Sequence, residues 1–146
     1  EQRGAGPDDP DPREVDDRAT ALELDWYEAI GLCKPGEAEQ LVRDGDTTIG
    51  GRIPVNPSGG LACFGEAVPA QAIAQVCELT WHLRGQAGAR QVDGAQVALQ
   101  HNIGISGAFG VTMYKPVAGS GSAPRPQRSA AVILPRDASA YPGDTP

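Results

Sequence analysis

The stretch AQVALQHNIGISGAFGVTMY, residues 95–114, decides the fold. Ala95, Val97, Leu99 and His101 alternate with Gln96, Ala98 and Gln100, the period of two that sends successive side chains to opposite sides of a strand. Phe109, Val111 and Met113 repeat the pattern against Gly110, Thr112 and Tyr114. The connection between them is glycine-rich and short enough for a hairpin. Two strands therefore close the folded body, and the residues before them must supply what packs on the sheet.

Those residues predict two helices. Over 69–84, proline suits the first turn, where its missing N–H costs nothing. Ile73, Val76, Cys77, Thr80 and Leu83 share one side, small alanines allow close packing, and Gly85 ends the run. On that side Cys77 reads as a buried small hydrophobe, and His82, off it, as a surface residue or a cation at the helix C-terminus. Over 17–30, Leu22, Trp26 and Ile30 form a second stripe; Asp16 or Asp17 caps the start and Gly31 ends it. Residues 33–65 read as loop-rich, with turns at Lys34-Pro35-Gly36, Gly50-Gly51 and Pro57-Ser58-Gly59-Gly60, and a short extended piece at 53–56.

The chain has 146 residues, with 12 Lys+Arg against 19 Asp+Glu. That length fits one domain. The acidic balance argues against nucleic acid as a main partner, because phosphate neutralisation needs Lys and Arg. No stretch reaches the roughly 18 apolar residues of a membrane span, and the acidic, apolar-poor start does not read as a secretory leader. Three cysteines, Cys33, Cys63 and Cys77, are an odd count with no zinc-knuckle spacing, so a reducing, cytoplasmic setting is expected, with no metal. Residues 1–13 read as an acidic disordered tail, 117–146 as a Pro/Gly/Ser-rich tail, and 14–116 as the body.

Few residues can carry chemistry. His101 ends a strand and enters a glycine-rich turn, a place where backbone N–H groups become available; from spacing alone it is either a site residue or a satisfied structural histidine. Gly104, Gly107 and Gly110 resemble a phosphate loop only in spacing, since no helix and no Lys-Ser/Thr pair follows. No Gly-x-Ser-x-Gly elbow surrounds Ser58 or Ser106. The pair Asp16-Asp17 is explained by capping without an acid–base role.

Several runs in order do resemble a known family. Tyr27-Glu-Ala-Ile-Gly-Leu-Cys-Lys-Pro-Gly36, Pro54-Val-Asn-Pro-Ser-Gly-Gly60, Glu78-Leu-x-Trp81-x-Leu-Arg-Gly85, Ala87-Gly88…Arg90-Gln-Val92 and Val97-Ala-Leu-Gln-His-Asn102 are similar in order and spacing to the C-terminal half of thiolases. The sterol-carrier, or nonspecific lipid-transfer, branch is the nearest. The resemblance covers about 14–115. It implies an α/β fold, a partial thiolase half-domain with two helices on a small mixed sheet, and work on acyl-CoA thioesters in lipid or steroid metabolism. It also implies a dimer, or a companion chain carrying the other half.

The resemblance carries its departures with it. The branch opens its first helix with His-Asp-Cys-Phe; here that station reads Asp16-Asp17-Arg18-Ala19, and an arginine cannot serve as a base at neutral pH. Thiolases open the second helix with Gly-His-Pro; here it reads Gly65-Glu66-Ala67, and a carboxylate disfavours a nearby thiolate by like-charge repulsion. The third station, His101-Asn102-Ile103-Gly104, matches its branch. The resemblance thus nominates His101, Glu66 and Tyr114 as acid/base candidates, and Asn102, Gly104, Ser58 and Gly59 as contacts to a coenzyme A thioester, which is substrate and not a bound cofactor. With the nucleophile-bearing half absent from this chain and two stations changed, the chain alone is expected to lack thiolase activity, by ~10²–10⁴ per lost general base. The competing expectation is a non-catalytic relative that binds an acyl-CoA or a partner chain. An unrelated small α/β domain is the third.

Overall fold

The computed structural model describes residues 11–104 and 107–117. Elements follow in the order β1 (Arg13–Glu14), α1 (Thr20–Ala29), α2 (Ala38–Arg43), α3 (Gly60–Phe64), α4 (Ala70–Leu83), a 3-10 turn (Gly88–Arg90), β2 (Ala98–Ile103) and β3 (Phe109–Tyr114). The sheet is mixed, in the order β1-β2-β3. β1 runs parallel to β2, pairing Arg13 with Leu99, and β2 runs antiparallel to β3, pairing His101 with Val111. The α/β architecture and the closing pair of strands are as expected. The stretch read as loop holds two short helices as well, and its extended piece reaches the sheet: Val55 bridges to Arg13.

The body begins earlier than position 14. Asp11, Pro12 and Arg13 are buried, and Arg13 opens β1. The reason is hydrogen bonding on both edges of this short strand. Arg13 N–H donates to Pro54 O at 3.1 Å, Asn56 N–H to Arg13 O at 2.7 Å, and Leu99 N–H to Pro12 O at 3.1 Å. The Asp11 carboxylate also accepts the Gln96 and Val97 N–H groups. An acidic, apolar-poor segment is held because its backbone and its acid are both satisfied. Residues 1–10 and 118–146, read as tails, lie outside the described residues, as do Ile105 and Ser106.

The two longer helices end alike. Gly31 and Gly85 take positive φ (77° and 65°). Leu32 N–H reaches Tyr27 O at 2.8 Å, and Gln86 N–H reaches Trp81 O at 2.7 Å, the long bond of a Schellman motif. The start of α1 differs from expectation. It begins at Thr20 after Ala19, with no side-chain cap, because Asp16 and Asp17 are engaged elsewhere.

One apolar cluster joins α1, α2 and the strand region: Val15, Tyr27, Leu32, Ala38, Leu41, Ile53 and Val55, with Leu24, Ile30 and Cys33 against it. The other long helix corrects the sequence reading. α4 buries Gln71, Gln75, Glu78, Leu79 and His82, while Ile73 is 63% and Trp81 42% exposed. Cys77 is exposed and His82 is 1% exposed, the reverse of both expectations. The physical reason is that most of these polar groups are matched. Gln75 Nε2 donates to Val15 O at 3.4 Å, Arg90 grips Glu78 with bonds of 2.7 and 2.8 Å, and His82 Nδ1 accepts the Val92 N–H at 3.1 Å. A satisfied polar side can be buried where apolar periodicity points outward.

Candidate functional site

β2 divides the candidate residues, because neighbours along a strand face opposite sides of the sheet. His101 faces α1. It is 1% exposed, and its ring lies 4.4 Å from the Trp26 ring, tilted by 42°. Gln100 and Asn102 face α4, where both side-chain amides donate to Gln75 Oε1 at 3.1 Å. Tyr114 lies on that second side, its hydroxyl donating to Gln100 Oε1 at 2.6 Å. The structure therefore separates His101 from Tyr114 by the thickness of the sheet.

Around His101 the geometry is charged on one flank and apolar on the other. His101 Nδ1 and Trp26 Nε1 are buried, and neither has a hydrogen-bond partner. Burial pushes the imidazole below the ordinary histidine value, and the Asp16 carboxylate opposes this in part. Asp16 is itself gripped by Arg18: Nε to Oδ1 at 2.8 Å and Nη2 to Oδ2 at 2.7 Å. Burial pushes Asp16 up, and the Arg18 bonds and charge outweigh it, leaving the carboxyl below its usual range. Arg18 Nη2 also donates to Ile103 O at 3.2 Å, and Nη1 pairs with Glu66 Oε1 at 2.9 Å. Glu66 sits in the segment before α4, with its side chain 41% exposed. Through Arg18, Glu66 shares a charged cluster with Asp16, whose charge acts on His101.

A second polar group lies beneath the loop before α3. Glu14, fully buried at the end of β1, accepts from Ser58 Oγ at 2.7 Å and from Ser58 N–H at 3.2 Å. Burial raises the Glu14 carboxyl to about 7; the Ser58 bonds resist and the charges of Glu78 and Asp17 add to it. Asp17 crosses to the same loop and accepts the Leu61 N–H at 2.7 Å, so it caps α3 and not α1. Gly60 must lack a side chain there, since a Cβ would collide with the Asp17 carboxylate. Ser58 and Gly59 are thus built into the loop's support. At the end of β2, Gly104 N–H donates to Ala108 O at 2.6 Å.

Sequence reasoning missed Glu14, Arg18 and Gln75. Glu14 was read only as the first residue of the body, Arg18 as a lost catalytic position, and Gln75 lay off the side of α4 taken to be buried. The available signal was Gln71, Gln75, Glu78 and His82 recurring at helical spacing. Cys33, partly buried, has its thiol pushed up by burial and by Glu28 and Glu37, which suits a structural cysteine. A cavity of about 370 Å³ lies at the other end of β2, lined by Ile30, Leu32, Leu99 and Met113 among others, and none of the nominated residues borders it. Among the described residues, no three His, Cys, Asp or Glu side chains are grouped to hold a metal ion, and no helix is long and apolar enough to cross a membrane.

Comparison with known proteins gives a consistent result. The family described as thiolase C-terminal domain-like matches residues 1–114. Sterol carrier protein 2 of Bos taurus is 55% identical over 115 residues, covering 79% of this chain and 21% of that protein. Non-specific lipid-transfer protein-like 2 of Caenorhabditis elegans is 46% identical over 109 residues, covering 75% of this chain and 26% of the relative. Among solved structures, the Ltp2-ChsH2(DUF35) aldolase is similar with a TM-score of 0.59 and 29% identity, over 75% of this chain and 27% of the other. The chain thus spans about a fifth to a quarter of the length of the curated relatives it matches.

Proposed function

The chain belongs to the family of thiolase C-terminal domains, of the lipid-transfer kind, and from that premise we propose that it is the C-terminal portion of a protein acting on acyl-CoA thioesters, making or breaking a carbon–carbon bond beside the thioester. The observation that supports this most is His101. It keeps the His-Asn-x-Gly run of its branch, and it is buried within β2 with Nδ1 unpartnered. A neutral imidazole with one free nitrogen can hold or release a proton at that atom, and the charge of Asp16 favours the protonated form.

The changed stations favour one kind of bond cleavage. Acyl transfer needs a thiolate nucleophile and a base to raise it. Cys33 does not fit, and Cys63 and Cys77 are exposed. Retro-aldol cleavage needs no such thiol. A base takes the proton of the 3-hydroxyl, the bond between carbons 2 and 3 breaks, and the thioester enolate takes up a proton. Similarity to an aldolase fits this reading. His101 is then the first candidate for proton transfer, Glu66 the second, and Tyr114, on the far side of the sheet, the weakest. Asn102, Gly104, Ser58 and Gly59 would shape the thioester end of the site.

The chain alone is expected to be inactive. A companion carrying the rest of a thiolase, or a second copy, would cover the outer strand, where Phe109 is 73%, Val111 50% and Met113 59% exposed. The competing reading, a non-catalytic relative that binds acyl-CoA or a partner, draws on the Arg18–Glu66 ion pair, which occupies the carboxylate nominated as a base. The test is turnover of 3-hydroxyacyl- and 3-oxoacyl-CoA by the purified chain, and by the chain with a companion thiolase half. Cleavage only by the pair, lost in His101→Asn, supports the proposal. Complex formation and acyl-CoA binding without turnover leave the non-catalytic reading.

A further inference from the structure

Three residues at the changed stations are joined: Asp16 and Glu66 both bond Arg18. Independent decay would leave unrelated side chains at these positions. Instead, one guanidinium spends its fork on Asp16, a second edge on Glu66 and a further bond on Ile103 O, so three segments distant in sequence meet on it. These are the exit from β1, the approach to α4 and the end of β2. Planar bidentate geometry of this kind is specific to arginine.

We propose that Arg18 is the positioning residue of this site, a latch that holds the Asp16 carboxylate with one edge and ties the Glu66 segment to the end of β2 with the other. The proposal rests on reading His101 as the proton-handling group, and it adds what sets that group's charge. Asp16 is the charged side chain whose field reaches His101; α1 presents Trp26, and β3 presents Val111 across the pair. Burial lowers the imidazole pKa, Asp16 opposes this, and Arg18 offsets part of the Asp16 charge. Freed from Arg18, the Asp16 carboxylate would favour imidazolium.

The test needs no turnover, so failure of the latch and failure of the proposed activity are separable. In the full chain with Trp81→Phe, emission comes from Trp26, whose ring contacts His101 and is quenched when the imidazole is protonated. Arg18→Gln should raise the midpoint of that titration by about one pH unit, the shift expected when a nearby opposite charge is uncovered. Arg18→Lys should fall between, because it keeps the charge and loses the fork. Amide exchange over residues 65–70 should quicken in both Arg18→Gln and Glu66→Gln, and no further in the double variant. A midpoint unmoved in Arg18→Gln, or additive exchange in the double variant, overturns the latch. If Arg18→Gln does not fold, Arg18→Lys and Glu66→Gln carry the same two readouts, and an unmoved midpoint with unchanged exchange in both overturns it. A quench that persists in His101→Asn overturns the site with it.

Discussion

The two long helices pack by opposite chemistry. α1 covers an apolar cluster of Val15, Tyr27, Leu32, Leu41, Ile53 and Val55. α4 covers an assembly of Gln75, Glu78, His82, Glu14, Gln100 and Arg90 held by directed bonds. Apolar packing tolerates adjustment, whereas a buried polar group that loses its partner keeps its full desolvation cost. The α1 side should therefore respond to lost volume, and the α4 side to lost partners and to pH.

The largest effect belongs to the apolar side. Ile53 is fully buried, and Ile53→Ala should cost about 2–5 kcal/mol, the range for deleting a buried aliphatic side chain. Urea unfolding followed by far-UV circular dichroism measures it. A loss under about 1 kcal/mol would mean the cluster is not the core. Next comes Glu78→Gln, which keeps the volume of the side chain and removes its charge. It should cost about 1.5–3 kcal/mol, the range for bonds to charged groups, because Arg90 and His82 both lean on that carboxylate. Glu78→Gln as stable as the unmodified chain, beside a large loss in Glu78→Leu, would show that the charge matters less than the shape and the hydrogen bonds.

How pH acts should differ between the buried titratable groups on the two sides of the sheet. The Glu14 carboxyl rises from its ordinary 4.5 to about 7 on folding. Its stabilising contribution is complete below 4.5 and is lost as pH rises through about 7. Burial lowers His82 and His101 from 6.5, so theirs is complete above 6.5 and is lost as pH falls through their folded values. Glu14→Gln removes the first contribution alone. Relative to the unmodified chain, this variant should gain stability steadily from pH 5 to pH 8. Urea midpoints at four pH values check this, and a constant difference would show that Glu14 is ionised throughout.

The same contrast explains what could be read in the sequence. The strands at 95–114 and the stripe Leu22, Trp26, Ile30 were legible from the periods of two and 3.6 alone, although the stripe is only half-buried and Phe109, Val111 and Met113 of β3 are exposed. The family resemblance was legible for a different reason: Pro54–Gly60 and His101–Gly104 are local runs, and their side chains need not be placed to be recognised. α4 was read with the wrong side inward, since periodicity scores apolar residues and its buried residues are mostly polar. Glu14 was identified as the first residue of the body, but nothing local said that Ser58, 44 residues later, would satisfy it. Arg18 was read as a lost catalytic residue. Its role depends on Glu66 and Ile103 arriving from other segments, which is a fact of tertiary structure.

The smallest expected effect tests the contrast most directly. Ile73 and Cys77 look like core by spacing and are exposed, so Ile73→Ser should change the stability of the chain by less than about 0.5 kcal/mol, as for surface substitutions generally. Under the inverted reading, with the apolar side of α4 buried, the same change would cost several times more, because a buried Ile loses both its transfer energy and its packing. The two outcomes do not overlap. A small loss of stability, combined with weaker binding of the companion half, would assign the outer side of α4 to assembly. A small loss with unaltered binding would assign the apolar docking surface to the outer strand, where Phe109, Val111 and Met113 stand in one exposed row.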